Sequence, residues 1–197
     1  MEQLEAVLIE EARSDPDAFA TLVGRYQDRL YNYLYRMTGS REDAQDLTQE
    51  TFVRVYRALP RFNLEAPFRP WVYKIATNLA INHLKGRKPV LVLEEYVPGP
   101  LNEDSPEHFA ETREIQRVIN AAVAELPEHS RAEVLLRHVN DLAYEDIARA
   151  LDVPLGTAKV RLHRARALLQ EKLMAAGLRA QSEETGAGAA AETTVKP

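Results

Sequence analysis

The sequence predicts an all-α fold arranged as two small helical domains. Apolar residues recur every three or four positions through most of the chain, and the apolar stretches end at proline or glycine. A segment over residues 90–105 lacks that period and is rich in proline and acids, so it divides the chain into two halves. A length of 197 residues, with 45% hydrophobic and 28% charged residues, is enough for two small cores in a soluble globular protein.

The first strong helix signal is the sequence Ser-Asp-Pro-Asp at residues 14–17. Asp15 and Ser14 are candidate caps, and a proline fits the first helical position because its missing N–H would have no partner there. An apolar stripe with a 3.6-residue period follows and is closed by Gly39. These features predict a helix that ends at Gly39.

A second helix is expected from Ser40 to about Leu59, before Pro60. Its polar stripe consists of Asp43, Asp46, Glu50, Arg54 and Arg57. Its apolar face consists of Phe52, Val55, Tyr56 and Leu59. From the residues alone, a polar stripe of this kind is most simply a solvated helix face.

A third helix is expected from near Pro70 to around Gly86, with Val72, Ile75, Ala76 and Leu79 toward the core. Basic, amide and aromatic groups share its other face: Trp71, Lys74, Asn78, Asn82 and Lys85. Such a face suits a separated DNA strand, because cations hold phosphates and amides read exposed base edges. Trp71 can equally be a packing residue.

The segment at residues 90–105 is expected to be an extended, acidic linker. The run at residues 90–93, Val-Leu-Val-Leu, could instead form a short strand or pack onto a partner. Charge is uneven along the chain: residues 66–93 contain basic residues and no acid, whereas residues 94–114 contain seven acids and one base. Basic residues dominate again over residues 157–174.

After the linker, helix signals resume near Ser105 and again after Pro127. A short helix over Tyr144–Leu151, a tight turn and a longer basic helix over residues 157–173 then form a helix-turn-helix, whose second helix lies in the DNA major groove. The short helix has Ala143 at its cap position in place of a capping residue, which should cost about 1 kcal/mol.

The long basic helix has one apolar side, formed by Ala158, Leu162, Ala165, Leu169 and Leu173. Its other side is expected to face DNA, with Thr157 capping the N-terminus near a phosphate. The expected DNA-facing residues are Thr157, Lys159, Val160, Arg161, His163, Arg164 and Arg166. Val160 offers only apolar contact, for instance to a thymine methyl. A solvated basic face is the competing interpretation.

Composition excludes several classes of function. The chain has no cysteine, so disulfides, zinc knuckles and thiol catalysis are absent, and its five histidines lack the spacing of a metal site. No run of about 18 apolar residues suggests a membrane span, and the acidic N-terminus does not resemble a signal peptide. We therefore expect a cytoplasmic protein without metal or cofactor. The net charge of −5 does not exclude nucleic-acid binding, because the charges are unevenly distributed. Two basic patches, which could bind phosphates, flank an acidic connector.

Three segments of the sequence resemble a known family. The segment LPEHSRAEVLLRHVNDLAYEDIARALDVPLGTAKVRLHRARALL resembles region 4, the promoter-binding domain of extracytoplasmic-function (ECF) sigma factors of RNA polymerase. The segments DAQDLTQETFVRVYRALPRF and FRPWVYKIATNLAINHLKGRKP resemble sigma region 2. The resemblance implies region 2 at residues 1–89 and region 4 at residues 106–178. Composition predicts the linker between them at residues 90–105 and a disordered tail at residues 179–197, whose Ala, Gly, Glu and Thr residues cannot bury enough apolar surface.

The resemblance also implies roles for individual residues. Contacts to the β′ clamp helices of core polymerase would come from the second helix, through Asp43, Asp46, Gln49, Glu50 and Arg54. The melted minus-ten element would meet Phe62, Asn63, Phe68, Trp71, Lys74, Asn78, Asn82, Lys85, Arg87 and Lys88. The basic helix would recognise the minus-thirty-five element. The implied partners are core polymerase, including its β subunit, and promoter DNA, with an anti-sigma factor as a candidate and no membrane.

Two other functions are alternatives to the sigma role. A helix-turn-helix regulator that uses only the second domain would need a receiver or ligand domain before it, and the first half has neither strand pattern nor ligand signature. A helical enzyme would need a paired acid and base, which the sequence does not supply. We therefore expect a non-enzymatic initiation factor.

Overall fold

The computed structural model describes residues 2–85 and 106–176, and within these ranges every regular element is helical, which confirms the all-α prediction. The linker predicted at residues 90–105, its alternative strand at residues 90–93, Arg87, Lys88 and the predicted tail lie outside the described residues. The helices are α1 (Glu2–Glu11), α2 (Pro16–Thr38), α3 (Arg41–Ala58), α4 (Phe68–Leu84), α5 (Pro106–Ala124), α6 (Glu128–His138), α7 (Tyr144–Leu151) and α8 (Leu155–Ala175).

The ends of α2 follow the sequence signals. The Asp15 carboxylate accepts a hydrogen bond from the Asp17 N–H at 3.0 Å, and Pro16 occupies the first turn. Gly39 closes the helix in the left-handed conformation, with φ of 75°, and its N–H donates to the Tyr35 carbonyl. Both predicted ends of this helix are confirmed.

Helices α3 and α4 differ slightly from their predicted bounds. Helix α3 ends at Ala58, and Leu59–Arg61 form one 3-10 turn in place of a last α-helical turn. Helix α4 starts at Phe68, two residues before Pro70. A proline is tolerated in that first turn because the first four N–H groups of a helix have no intrahelical partner.

The first unit, α1 to α4, is centred on aromatic residues. The Tyr33 and Tyr73 rings meet edge to face with centroids 5.3 Å apart, and the Tyr33 hydroxyl bonds the Thr77 hydroxyl at 2.7 Å. Helix α1 was not predicted, yet it buries Leu8 and Ile9. It packs on α2, and at ten residues it is too short to be stable without that packing.

The second unit, α5 to α8, buries Leu135, Ile147, Leu162 and Ala165 in a common core. The two units also touch each other: α4 packs against α7 and α6, and α2 packs against α5 and α6. Core residues from both units therefore belong to one continuous cluster.

Glu133 is a carboxyl group inside the second unit. Its side chain is buried on α6, and its Oε1 has no hydrogen-bond partner in the part of the chain that the structure describes. Burial raises the pKa of the Glu133 carboxyl to about 7, and the guanidinium of Arg161 opposes that rise. The folded state therefore holds the proton more tightly than the unfolded chain does, and Glu133 costs stability once it ionises.

We predict that Glu133→Gln stabilises the protein above pH 7 and that its advantage shrinks as the pH falls. Below the ordinary pKa of 4.5, the Glu133 carboxyl is neutral in both the folded and the unfolded state. As the pH rises from 4.5 to about 7, the unfolded chain loses this proton first, and the folded state becomes less stable relative to it. The gain in free energy of unfolding at pH 8 should be about 1–3 kcal/mol. Urea unfolding of both proteins from pH 5 to 8.5 measures it. Glu145→Gln, at an exposed position, is the control, and an equal effect of both changes would contradict the prediction.

Candidate nucleic-acid interfaces

Helix α8 has the two sides that the sequence predicts. Ala158, Leu162 and Ala165 are buried in the second unit, while Leu169 is half-buried against the same core. The opposite side is exposed and consists of Lys159, Val160, Arg161, His163, Arg164 and Arg166. With 51% of its surface exposed, Val160 places an apolar group within a basic surface. This arrangement can hold phosphates and contact bases in a groove.

Thr157 does not cap α8, contrary to the prediction. The helix begins at Leu155 after Pro154, which has extended backbone angles and makes no side-chain capping bond. Pro154 occupies the capping position, where its ring fixes φ, and Thr157 therefore lies within the first turn and is half-buried. A contact from Thr157 to a phosphate remains a prediction.

The turn before α8 is tight. Helix α7 ends at Leu151, and the next residue, Asp152, adopts the left-handed conformation with φ of 56°. At the other end of α7, Ala143 has the extended backbone of a cap residue but makes no side-chain capping bond, as the sequence indicated. The Tyr144 ring lies beneath two cations, with Arg137 at 5.5 Å and Lys159 at 6.0 Å from its centre.

Helix α4 exposes a narrow polar strip formed by Asn78, Asn82 and Lys85. The Lys85 ammonium donates to the Asn82 side-chain oxygen at 3.1 Å. Lys74, on the same side of the helix, is half-buried and pairs with Asp152 at 3.0 Å. The strip carries amide donors and acceptors beside cations, which can bond base edges and phosphates.

The aromatic residues before and within α4 mostly pack inward. Phe62 and Phe68 are buried, and Trp71 is half-buried with its ring 4.6 Å from that of Phe62. Phe62 and Phe68 were predicted to contact DNA, but in this conformation their rings shape the loop between α3 and α4 from within. Asn63 is the predicted residue that this loop exposes, and its side-chain oxygen accepts from the Glu65 N–H.

Helix α3 exposes Asp46, Gln49 and Arg54, while Glu50 is half-exposed and pairs with Arg54 at 2.7 Å. Asp43 instead points to α4, where it lies 3.0 Å from the Nε2 atom of His83. Tyr56, which the sequence predicts on the apolar side of the helix, is 52% exposed. Its ring meets Phe19 edge to face at 4.9 Å, so it covers the start of α2 without entering the core.

Among the described residues, no cluster of three or more acids and histidines could hold a metal ion. None of the described helices is long and apolar enough to cross a membrane.

Comparison with known proteins identifies both halves of the chain. Residues 22–89 match the family model of sigma-70 region 2, and residues 116–169 match that of sigma-70 region 4. The ECF RNA polymerase sigma factor SigW of Bacillus subtilis is 33% identical over 171 residues, with 82% of this chain and 91% of SigW covered. The ECF RNA polymerase sigma-E factor of Escherichia coli is 36% identical over 87% of this chain and 96% of its own. The chain belongs to the ECF sigma factors.

Two solved structures share the fold of this sigma factor. CnrH, solved in complex with the cytosolic domain of CnrY, is 23% identical with a TM-score of 0.67, over 86% of this chain and 97% of CnrH. The sigma factor RpoE of Bartonella quintana, solved with the anti-sigma factor NepR, is 21% identical with a TM-score of 0.61, over 79% and 96% of the two chains. The region 2 match also counts against a regulator that consists of the helix-turn-helix alone.

The sequence did not single out Arg137 and Tyr144 as site residues. They join the site through space, because Tyr144 starts α7 and its ring supports Lys159 of α8 while the Arg137 guanidinium donates to the Leu142 carbonyl at 3.1 Å. The periodicity of one helix carries no signal of such a contact between helices.

We predict that Ala143→Thr stabilises region 4 of this sigma factor relative to Ala143→Val. Threonine and valine have the same shape, but only threonine has an oxygen that can accept from the first free N–H groups of α7. The difference should be about 1 kcal/mol, measured by thermal and chemical unfolding. Equal stability of the two variants would show that no cap forms.

Proposed function

We propose that this sigma factor binds core RNA polymerase through α3 and recognises two promoter elements, one with α4 and one with α8, so that transcription starts there without any chemistry by the chain itself. The observation that carries the proposal is that three helices each bury one side and expose a polar side of different character. Helix α3 exposes acids beside Arg54, α4 exposes amides with Lys85, and α8 exposes four basic residues around Val160.

The polymerase-binding role falls to Asp46, Gln49 and Glu50. Asp46 and Gln49 are exposed on α3, where they can meet a basic surface of the β′ clamp helices without any change in the core. The Glu50–Arg54 pair holds both side chains in place and offers a second charge of each sign. Asp43 supports this surface indirectly, because its contact with His83 fixes α3 on α4.

Helix α8 recognises the upstream promoter element. Lys159 and Arg164 supply phosphate and base contacts in the major groove, and Val160 adds an apolar contact to a base such as thymine. Arg137 becomes a further phosphate contact, because it lies over Tyr144 beside Lys159.

Helix α4 and the loop before it recognise the downstream promoter element once its strands have separated. Asn78 and Asn82 bond exposed base edges, and Lys85 contacts the backbone. The buried rings of Phe62 and Phe68 hold the loop in shape so that Asn63 can approach an unstacked base. Arg87 and Lys88 extend the basic charge in the sequence toward residue 89.

The proposed domains are region 2 at residues 1–89 and region 4 at residues 106–178, joined by a linker at residues 90–105 that lets the two recognise separate elements. The factor would act in the cytoplasm, where RNA polymerase works. Because the sigma factor RpoE, which shares this fold, was solved with the anti-sigma factor NepR, we also propose an anti-sigma partner for this chain.

Reversing charge at Asp46 and Glu50 to lysine should abolish assembly with core polymerase while leaving the fold intact, because neither side chain is buried. We expect at least a tenfold loss of affinity, since like charges would face each other across the contact. The control reverses Asp28 and Glu11, two exposed acids on α2 and α1, and changes the net charge by the same amount. Size-exclusion co-elution and circular dichroism decide the outcome, and wild-type affinity of the first variant would refute the α3 surface.

The two DNA-binding surfaces should fail in different ways. Lys159→Ala with Arg164→Ala should weaken binding to the duplex promoter by about 1–3 kcal/mol per lost base contact. Asn78→Ala with Asn82→Ala should leave duplex binding intact and reduce strand opening. Permanganate footprinting on duplex DNA and on DNA with a preformed bubble separates the two defects, because the bubble should restore any variant impaired only in melting. Identical defects on both templates would refute the division of roles.

A further inference from the structure

Glu133 places a carboxyl group behind the DNA-facing helix of region 4. It lies on α6, which packs against α8, and only 1% of its surface is exposed. Its Oε1 atom has no hydrogen-bond partner among the described residues. A buried carboxylate without such a partner is costly, so burial favours the neutral form of this side chain.

Arg161 of α8 is the cation that acts on this carboxyl. Its guanidinium favours the ionised form of Glu133 and so opposes the effect of burial, which raises the pKa of the carboxyl to about 7. Arg161 is exposed and belongs to the basic side of α8. The same guanidinium can therefore bond either the Glu133 carboxylate or a DNA phosphate.

Cations on the other helices that contact α6 bond other groups. Helix α6 packs against α2, α4 and α7 as well as against α8. The cations of these helices and of α6 with bonds elsewhere are Arg36 to Asn120, Arg69 to the Asn140 carbonyl, Lys74 to Asp152, Arg149 to Asp146, Arg131 to three backbone carbonyls and Arg137 to the Leu142 carbonyl. Of the nearby acids, Glu128 acts on Arg131, and Glu145 of α7 is exposed.

We propose, on the basis of the proposed function of α8 as the duplex-binding helix, that Glu133 makes this binding depend on pH, because its carboxylate and a DNA phosphate compete for Arg161. When Glu133 is neutral, the Arg161 guanidinium bonds a phosphate. When Glu133 is ionised, it attracts Arg161 and also repels the phosphates of the DNA backbone.

The direction of the pH dependence follows from which state holds the proton more tightly. A bound duplex withdraws the Arg161 guanidinium and adds negative charge, and both effects raise the pKa of Glu133 above the value of about 7 that it has without DNA. Binding therefore takes up a proton between about pH 7 and the higher pKa of the complex. Affinity should be greatest below pH 7 and fall above it, by about tenfold for each unit by which DNA raises the pKa.

Three histidines of region 4 can also take up protons beside DNA. His129 and His138 are exposed on α6, and His163 is exposed on α8. Burial and the Arg166 guanidinium lower the pKa of His138 from its ordinary value of 6.5. Matched variants are therefore needed to separate the Glu133 carboxyl from these imidazoles.

Glu133→Gln tests the proposal, because glutamine keeps the shape of the side chain and has no charge. Core polymerase is assembled with each sigma protein, and anisotropy measures its binding to a fluorescent promoter duplex recovered by transcription from a genomic library. Wild type and variant should bind almost equally at pH 6, whereas the variant should bind about three- to tenfold more tightly at pH 8.5. Calorimetry at pH 7.5, in buffers of different ionisation enthalpy, should show less proton uptake for the variant. Parallel pH profiles of the two proteins would overturn the proposal.

Two control variants separate Glu133 from general effects of charge. Glu171→Gln removes one acid from an exposed position of α8 and should change the affinity by the same factor at every pH. His138→Gln should keep the wild-type decline in affinity above pH 7. If either control flattens that decline as much as Glu133→Gln does, the proposal is wrong.

Arg161→Ala tests whether the competition involves that guanidinium. In this background Glu133→Gln should no longer improve binding at pH 8.5, because the cation for which carboxylate and phosphate compete is gone. An equal improvement with and without Arg161 would overturn the proposal. Failure of the wild-type complex to bind the promoter at any pH would refute the proposed function and this proposal with it, whereas tight binding without a Glu133-dependent pH profile would refute this proposal alone.

Discussion

Helix α4 is packed from both sides, and this constraint determines what the rest of the structure can do. Helices α2 and α3 cover it on the region 2 side, while α6 and α7 cover it on the region 4 side. Only Asn78, Asn82 and Lys85 remain on an open strip. Because so little of α4 is free, few of its residues can meet a nucleic acid in this arrangement.

Buried polar groups in this protein fix the positions of helices relative to one another. The hydroxyls of Tyr33 and Tyr73 both lie in the core, yet one ends inside region 2 and the other ends on Asn140 of region 4. Arg131 donates to three carbonyls, one at the end of α2 and two at the end of α5 and just after it. Glu133, two residues away, leaves one oxygen without a partner among the described residues. Removing one member of such a set leaves its former partners buried without a hydrogen bond, which costs stability.

Helix ends and helix faces could be predicted because they depend on neighbours in sequence. Asp15 and Gly39 signal their own ends, and the buried side of α8 follows from its period. Three features could not be predicted in this way. Helix α1 and the exposed position of Tyr56 depend on packing against α2, and the start of α8 before Thr157 depends on the fixed backbone of Pro154. The contacts of Asn140 and Tyr144 join residues from different helices, which periodicity along one helix does not encode.

Reconstituted transcription is the most direct test of the sigma role. Core polymerase is combined with this protein and a library of genomic fragments, and the start sites of the transcripts are sequenced with and without the protein. We expect a new set of starts that share two upstream sequence elements at one fixed spacing, as two recognition helices in a single polymerase complex require. Start sites identical to those of core polymerase alone, or new starts that share no element, would contradict the assignment of promoter recognition to this chain.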